Sequence, residues 1–99
     1  MSVARHELPA RLDLAAATPL AEALREKAGK DLVLDAAGTT HLGTPGLQVL
    51  LAARLSWIES GHELVLENAD ESFVAQLAQL GLSTADLSAP DQTADQDVE

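Results

Sequence analysis

The stretch Asp31–Ile58, DLVLDAAGTTHLGTPGLQVLLAARLSWI, constrains the fold more than any other part of the chain. It reads as a short buried strand, a polar turn and a strongly apolar helix. Leu32, Val33 and Leu34 make an apolar run of strand length that Asp35 and Gly38 stop. Thr44 with Pro45 directly behind it then signals a helix start, because proline's fixed φ suits the first turn, where its missing N–H is not needed. Nothing in this stretch is equipped for chemistry. A strand, a loop and a capped helix in that order form a place where proteins present surfaces to partners.

On either side the pattern alternates between strand and helix. Val3 to Leu8 is weakly strand-like and stops at Pro9, which cannot donate to a sheet ladder and so suits an edge. Leu14, Leu20 and Leu24 fall at helical spacings, and Thr18–Pro19 reads as cap and first turn of a helix from about Pro19 to Lys27, ended by Gly29. Beyond Gly61, His62 to Glu67 alternates, with Leu64 and Leu66 on one side and Glu63, Val65 and Glu67 on the other. Ser72 to Leu80 is an amphipathic helix with Phe73, Leu77 and Leu80 on one stripe, closed by Gly81. Such alternation predicts an α/β domain, a small, mainly parallel sheet with right-handed crossovers, helices packed against it and an edge strand at the N-terminus. The domain is expected over residues 1–83. From 84 to 99 five acids and no base sit among Ala, Ser, Thr and Gln, a composition that predicts a disordered acidic tail.

Composition removes whole classes of function. At 99 residues there is room for one core, and with Phe73 and Trp57 as the only aromatic residues that core is aliphatic. No cysteine is present, so disulfides and thiolate chemistry are absent and a reducing, cytoplasmic setting is expected. Sixteen acids against six bases give a formal charge of −10, which repels phosphate backbones and anionic lipid surfaces. No nucleic-acid partner is expected. No apolar run approaches the roughly 18–20 residues that cross a bilayer, and the N-terminus carries acids and a proline where a secretory leader needs a basic start and an apolar centre.

Taken in order, these elements resemble the STAS family, small domains named after sulfate transporters and antagonists of anti-sigma factors. The resemblance lies in a strand ending in Asp (Leu32 to Asp35), a loop, a motif Gly43-Thr44-Pro45-Gly46-Leu47 in place of Asp-Ser-Ser-Gly-Leu or Asp-Thr-Ala-Gly-Leu, and the apolar run Val49 to Ala53. Ala10-Arg11-Leu12-Asp13 is similar to the family's Gly-Glu-Leu-Asp segment, and the likeness covers Val3 to about Leu82. Where antagonist members carry the phosphorylatable serine this chain has Pro45, so phosphorylation at that position is impossible. Thr44 matches the threonine that members of lipid-transport systems carry one position earlier. The resemblance implies a non-catalytic regulatory adaptor in bacterial signalling that docks on a kinase, either of the anti-sigma serine type or the receptor-coupled histidine kinase of chemotaxis. The alternative it implies is a cytoplasmic subunit of a lipid-asymmetry ABC transporter, bound to its ATPase.

Five residues carry the docking expectation: Thr44, Gly46, Val49, Ala53 and Trp57. Thr44 is either a helix cap, worth about 1 kcal/mol, or a modifiable hydroxyl beside free N–H groups and the positive end of the helix dipole. At about 100° per residue, Leu47, Leu50, Leu51, Leu55 and Ile58 form an arc expected to bury, leaving Val49, Ala52, Ala53 and Ser56 facing outward. An outward face of small, uncharged residues admits another protein closely, or is simply an apolar stretch of surface. Trp57 is a half-buried core residue or an anchor at an interface rim. Arg54, inside the arc, must snorkel or find a carboxylate, or else serve recognition.

No catalytic constellation is legible. His6, His41 and His62 lack carboxylates at ligand spacing, and His41 with Thr44 lacks a third orienting group, so no metal, cofactor or nucleophile system is expected. Gly43 and Gly46 lack the lysine and spacing of a phosphate-cradling loop. The partner's identity and the oligomeric state are not written in the sequence.

Overall fold

Alternation along three short strands sets the architecture. The computed structural model describes residues 3–90. Strands β1 (Val3–Glu7), β3 (Asp31–Asp35) and β5 (Leu64–Glu67) form one parallel sheet in the order β1-β3-β5, with β1 at an edge. The registers Ala4↔Leu32↔Leu64 and His6↔Leu34↔Leu66 place these six side chains on one face, since paired residues in register point the same way. Leu32, Leu34 and Leu64 are fully buried there. The opposite face carries Arg5, Val33 and Val65 in one row and Glu7, Asp35 and Glu67 in the next.

The crossovers contain two further strands too short to show a period. β2 (Arg11–Leu12) pairs in parallel with β4 (His41–Leu42), a ladder extended by Thr40 N–H and His41 N–H donating to the Ala10 carbonyl and Gly43 N–H donating to that of Leu12. Between them run α1 (Leu14–Glu26) and, after β4, α2 (Thr44–Ser60); α3 (Glu71–Gln79) follows β5. One aliphatic core joins Leu12, Leu20 and Leu24 to Leu47, Leu50 and Trp57 of α2 and to Phe73 and Leu77 of α3. The result is the parallel, helix-covered α/β domain with an N-terminal edge strand that the sequence predicts.

Four local expectations need correction. α1 begins at Leu14, not near Pro19: the Asp13 carboxylate accepts from Ala16 N–H at 3.1 Å as N-cap, and the Ala-rich first turns carry the helix past Pro19. α2 is capped by Gly43, and no side chain caps it, so Thr44 is its first residue and not its cap. Leu80 is half exposed, because α3 ends at Gln79 and Gly81, at φ +78°, turns the chain away. The fourth concerns the expected boundary at residue 83. Thr84–Leu87 is a 3₁₀ helix opened by a Ser83–Asp86 capping box, Leu87 and Ala89 are buried, and Ala89 exchanges two 2.8 Å backbone bonds with Leu64. Two apolar side chains seated on the edge of β5 fold a stretch whose mean composition reads as tail. The rest of the expected tail, 91–99, lies outside the described residues.

Candidate partner-docking site

The loop between β3 and α2 is held by its own side chains and by those of neighbouring elements. Asp35, the last residue of β3, accepts through Oδ1 from Ala37 N–H at 3.0 Å and Asn68 Nδ2 at 2.9 Å, and through Oδ2 from Arg5 at 2.9 Å. Arg5 also reaches Glu67 at 3.2 Å, so its guanidinium ties all three strands on the outer face. The Asn68 amide, then the Ala37 N–H and the Arg5 charge, hold the Asp35 carboxyl below its ordinary range. Further along, the buried Thr39 hydroxyl donates to the Pro9 carbonyl at 2.9 Å and that of Thr40 to Ala10 at 3.3 Å. Finally Leu42 N–H donates to Gln76 Oε1 at 2.8 Å, while Gln76 Nε2 donates to the Thr40 carbonyl at 3.1 Å. A loop with this many fixed points is a rigid platform.

The mouth of α2 rests on β2. A Cβ on Gly43 would lie 2.7 Å from the Leu12 carbonyl oxygen, and one on Gly46 would lie 2.6 Å from both that oxygen and Leu12 Cβ. These glycines are required by close approach. Gly46 is buried and contributes packing, with no surface to offer a partner.

That contact rotates the helix away from the expected orientation. Ala53 and Trp57 are buried, at 7% and 4% exposure, and Leu55 is 60% exposed. Ala53 lines a groove of about 270 Å³ between α1 and α2, opposite Ala21, Leu24 and Ala28, with Val49 half-buried beside it. The expected outward placement of Ala53 and Val49 is therefore corrected: their small volumes admit the chain's own α1. Trp57 is a core residue whose indole N–H donates to the Lys30 carbonyl at 2.8 Å, so it cannot anchor a rim. Arg54 forms no ion pair with a carboxylate among the described residues; its Nε donates to the Ser88 carbonyl at 2.9 Å.

Of the five expected residues only Thr44 is exposed, and its hydroxyl makes no hydrogen bond among the described residues. On the same side of α2 lie Gln48, Ala52, Leu55 and Glu59, a stripe with a single charge. Helical spacing alone could have found it, had the phase of the helix been known. Gln76 carried no sequence signal.

The histidines do not converge on a site. His6 sits half-buried on the inner side of β1, where burial and then the Lys27 charge lower its pKa, and His62 Nδ1 lies 3.5 Å from Asp31. Among the described residues no three His, Cys, Asp or Glu side chains are placed to hold a metal ion, and no helix is long and apolar enough to cross a membrane.

A family model described as "Mlab, STAS domain" matches residues 5–88, from β1 through the 3₁₀ helix. No curated protein matches the chain. A crystal structure of a sulfate transporter family protein from Wolinella succinogenes superposes with a TM-score of 0.69 at 20% identity, over 80% of this chain and 66% of that one. At that identity the likeness is one of fold. Since the family model covers most of the chain, from within β1 through the 3₁₀ helix, this chain belongs to the STAS domain family.

Proposed function

We propose that this chain is a non-catalytic, cytoplasmic STAS-type interaction module, a regulatory adaptor in bacterial signalling that docks on a kinase. Its docking surface is the loop from Gly38 through Thr44 and the outer stripe of α2. The observation that carries this reading is the state of Thr44: an exposed hydroxyl, unneeded as a cap, standing at the head of the nearly uncharged stripe Gln48, Ala52 and Leu55. A solvated helix face ordinarily carries several charges, and their depletion is typical of interface centres. Pro45 removes the usual acceptor hydroxyl, so the adaptor works without phosphorylation at that position. Thr44 remains open to modification, which mass spectrometry of the protein from its own cells would detect.

A second reading has specific support. The matching family model bears the description Mlab, and the notable hydroxyl of the motif is a threonine, as in the lipid-asymmetry transport systems, where the partner is a cytoplasmic ATPase. One experiment separates the two. A photo-cross-linking residue at Leu55, with Leu80, the same residue type and also exposed, as control, is irradiated with the purified receptor-coupled histidine kinase, an anti-sigma serine kinase and the transporter ATPase. Cross-links from Leu55 and not Leu80 to a kinase are expected. Cross-links to the ATPase alone transfer the conclusion to the second reading, and none from Leu55 to any of the three refutes both.

A further inference from the structure

We infer that Gln76 is the positioning residue of the docking surface, its side-chain amide standing in for a strand missing beside β4. The inference rests on the docking reading above and adds the residue that sets the surface's geometry. β4 pairs with β2 on one side and, among the described residues, has no strand on the other. There the amide of Gln76 accepts from Leu42 N–H at 2.8 Å and donates to the Thr40 carbonyl at 3.1 Å, the pair of bonds that one residue of a parallel neighbouring strand would make with its own C=O and N–H. Ser72 Oγ, one turn earlier on α3, lies 3.2 Å from the same Nε2 and fixes the side chain's orientation. Leu42 is followed by Gly43, the N-cap of α2, whose own N–H is tied to Leu12. The segment Thr40–Gly43 is thus gripped by β2 on one edge and by α3 on the other. Thr44 begins where the grip ends. A shift of α3 reaches the mouth of α2 through this side chain as well as through the core that the two helices share.

The requirement is for one donor and one acceptor at fixed separation, which defines the test. In the full chain, Gln76→Ala removes both. Gln76→Glu keeps the acceptor for Leu42 but, when ionised, faces the Thr40 carbonyl with no proton; protonated, near the ordinary glutamate range of about 4.3, it regains the donor. Amide exchange by NMR should show Leu42 protection falling about fivefold to tenfold in Gln76→Ala, the consequence of losing one ordinary hydrogen bond, while β3 amides keep theirs. In Gln76→Glu, the Thr40–Thr44 resonances should differ from wild type at pH 7 and converge on it at pH 4, with wild type over the same range correcting for the titration of other carboxyls. Unchanged Leu42 protection, protection lost equally along the whole chain, or absence of the acid convergence overturns the inference. The three preparations are also titrated into the purified histidine kinase. If wild type binds, both variants should bind at least fivefold more weakly at pH 7, and equal affinity overturns the positioning role. If wild type does not bind this kinase, the docking reading loses that partner while the exchange and pH arms still decide on Gln76.

Discussion

Replacing Gly46 by alanine sets two physical effects of opposite sign against each other. In isolation the change favours the helix, by at most the roughly 1 kcal/mol that separates glycine from alanine in a helix interior, since Gly46 stands in the first turn. In the fold the new methyl would meet Leu12 Cβ and O at 2.6 Å and Leu12 C at 2.8 Å. Opening the shortest contact to 3.4 Å, where ordinary van der Waals contact begins, moves the first turn of α2 and β2 apart by about 0.8 Å. The obstacle is backbone and a Cβ, so no rotamer change relieves it. Overpacking of this kind costs about 1–3 kcal/mol, and the movement also strains the 2.8 Å bond from Gly43 N–H to Leu12 O. The net expectation is a loss of roughly 1–2 kcal/mol, equivalent to a fall in Tm of roughly 5–15 °C for a domain of this size. Urea unfolding followed by Trp57, the only tryptophan, measures it directly. Leu12→Ala in the same chain should give no rescue, because alanine retains both offending atoms. An unchanged or raised midpoint for Gly46→Ala would show that helix propensity wins and would refute the close-approach account.

Ala53→Glu, which places a carboxylate in the α1–α2 groove, should cost about 2 kcal/mol in urea unfolding, whereas Leu55→Glu should stay within about 0.5 kcal/mol yet abolish capture by the partner. Equal stability of the two would contradict the helix phase. Thr44→Ala should change stability by no more than a few tenths of a kcal/mol, against about 1 for a true cap, and a calorimetric melt distinguishes these. The Asp35 carboxyl is depressed by the hydrogen bonds and charge it receives in the fold, so its stabilisation is full above the unfolded value of about 3.9 and is lost as pH falls from there toward the lower folded value. Asp35→Asn should therefore flatten the acid limb of a stability-against-pH curve; an identical limb would assign acid sensitivity elsewhere. Truncation after Leu82 should destabilise by about 2 kcal/mol or more, because it uncovers the site of Leu87 and removes the acceptor of Arg54.

The sequence makes the β3–loop–α2 unit and the alternation around it legible because each rests on local signals: an apolar run, an acidic stop, glycines at φ +79° and +78° ending α2 and α3. β2 and β4 are two residues each and acquire strand conformation only by pairing across some thirty residues, so no local pattern announces them. Leu87 and Ala89 likewise become core only through the edge of β5. The sequence misorients α2 for a different reason. Apolar residues lie on nearly every side of α2, so its periodicity has no phase, and a helix of that kind can be turned by any single strong contact. Here the contact is Gly46 on Leu12. Seven and eleven residues further on, close to whole numbers of turns, stand Ala53 and Trp57, which must follow Gly46 inward. Small residues on a helix mark where something comes near; in this chain the nearest thing along that line is its own backbone. Rotating the helix to satisfy Gly46 brings Thr44, Gln48 and Leu55 outward together, so the packing constraint and the candidate surface have one cause.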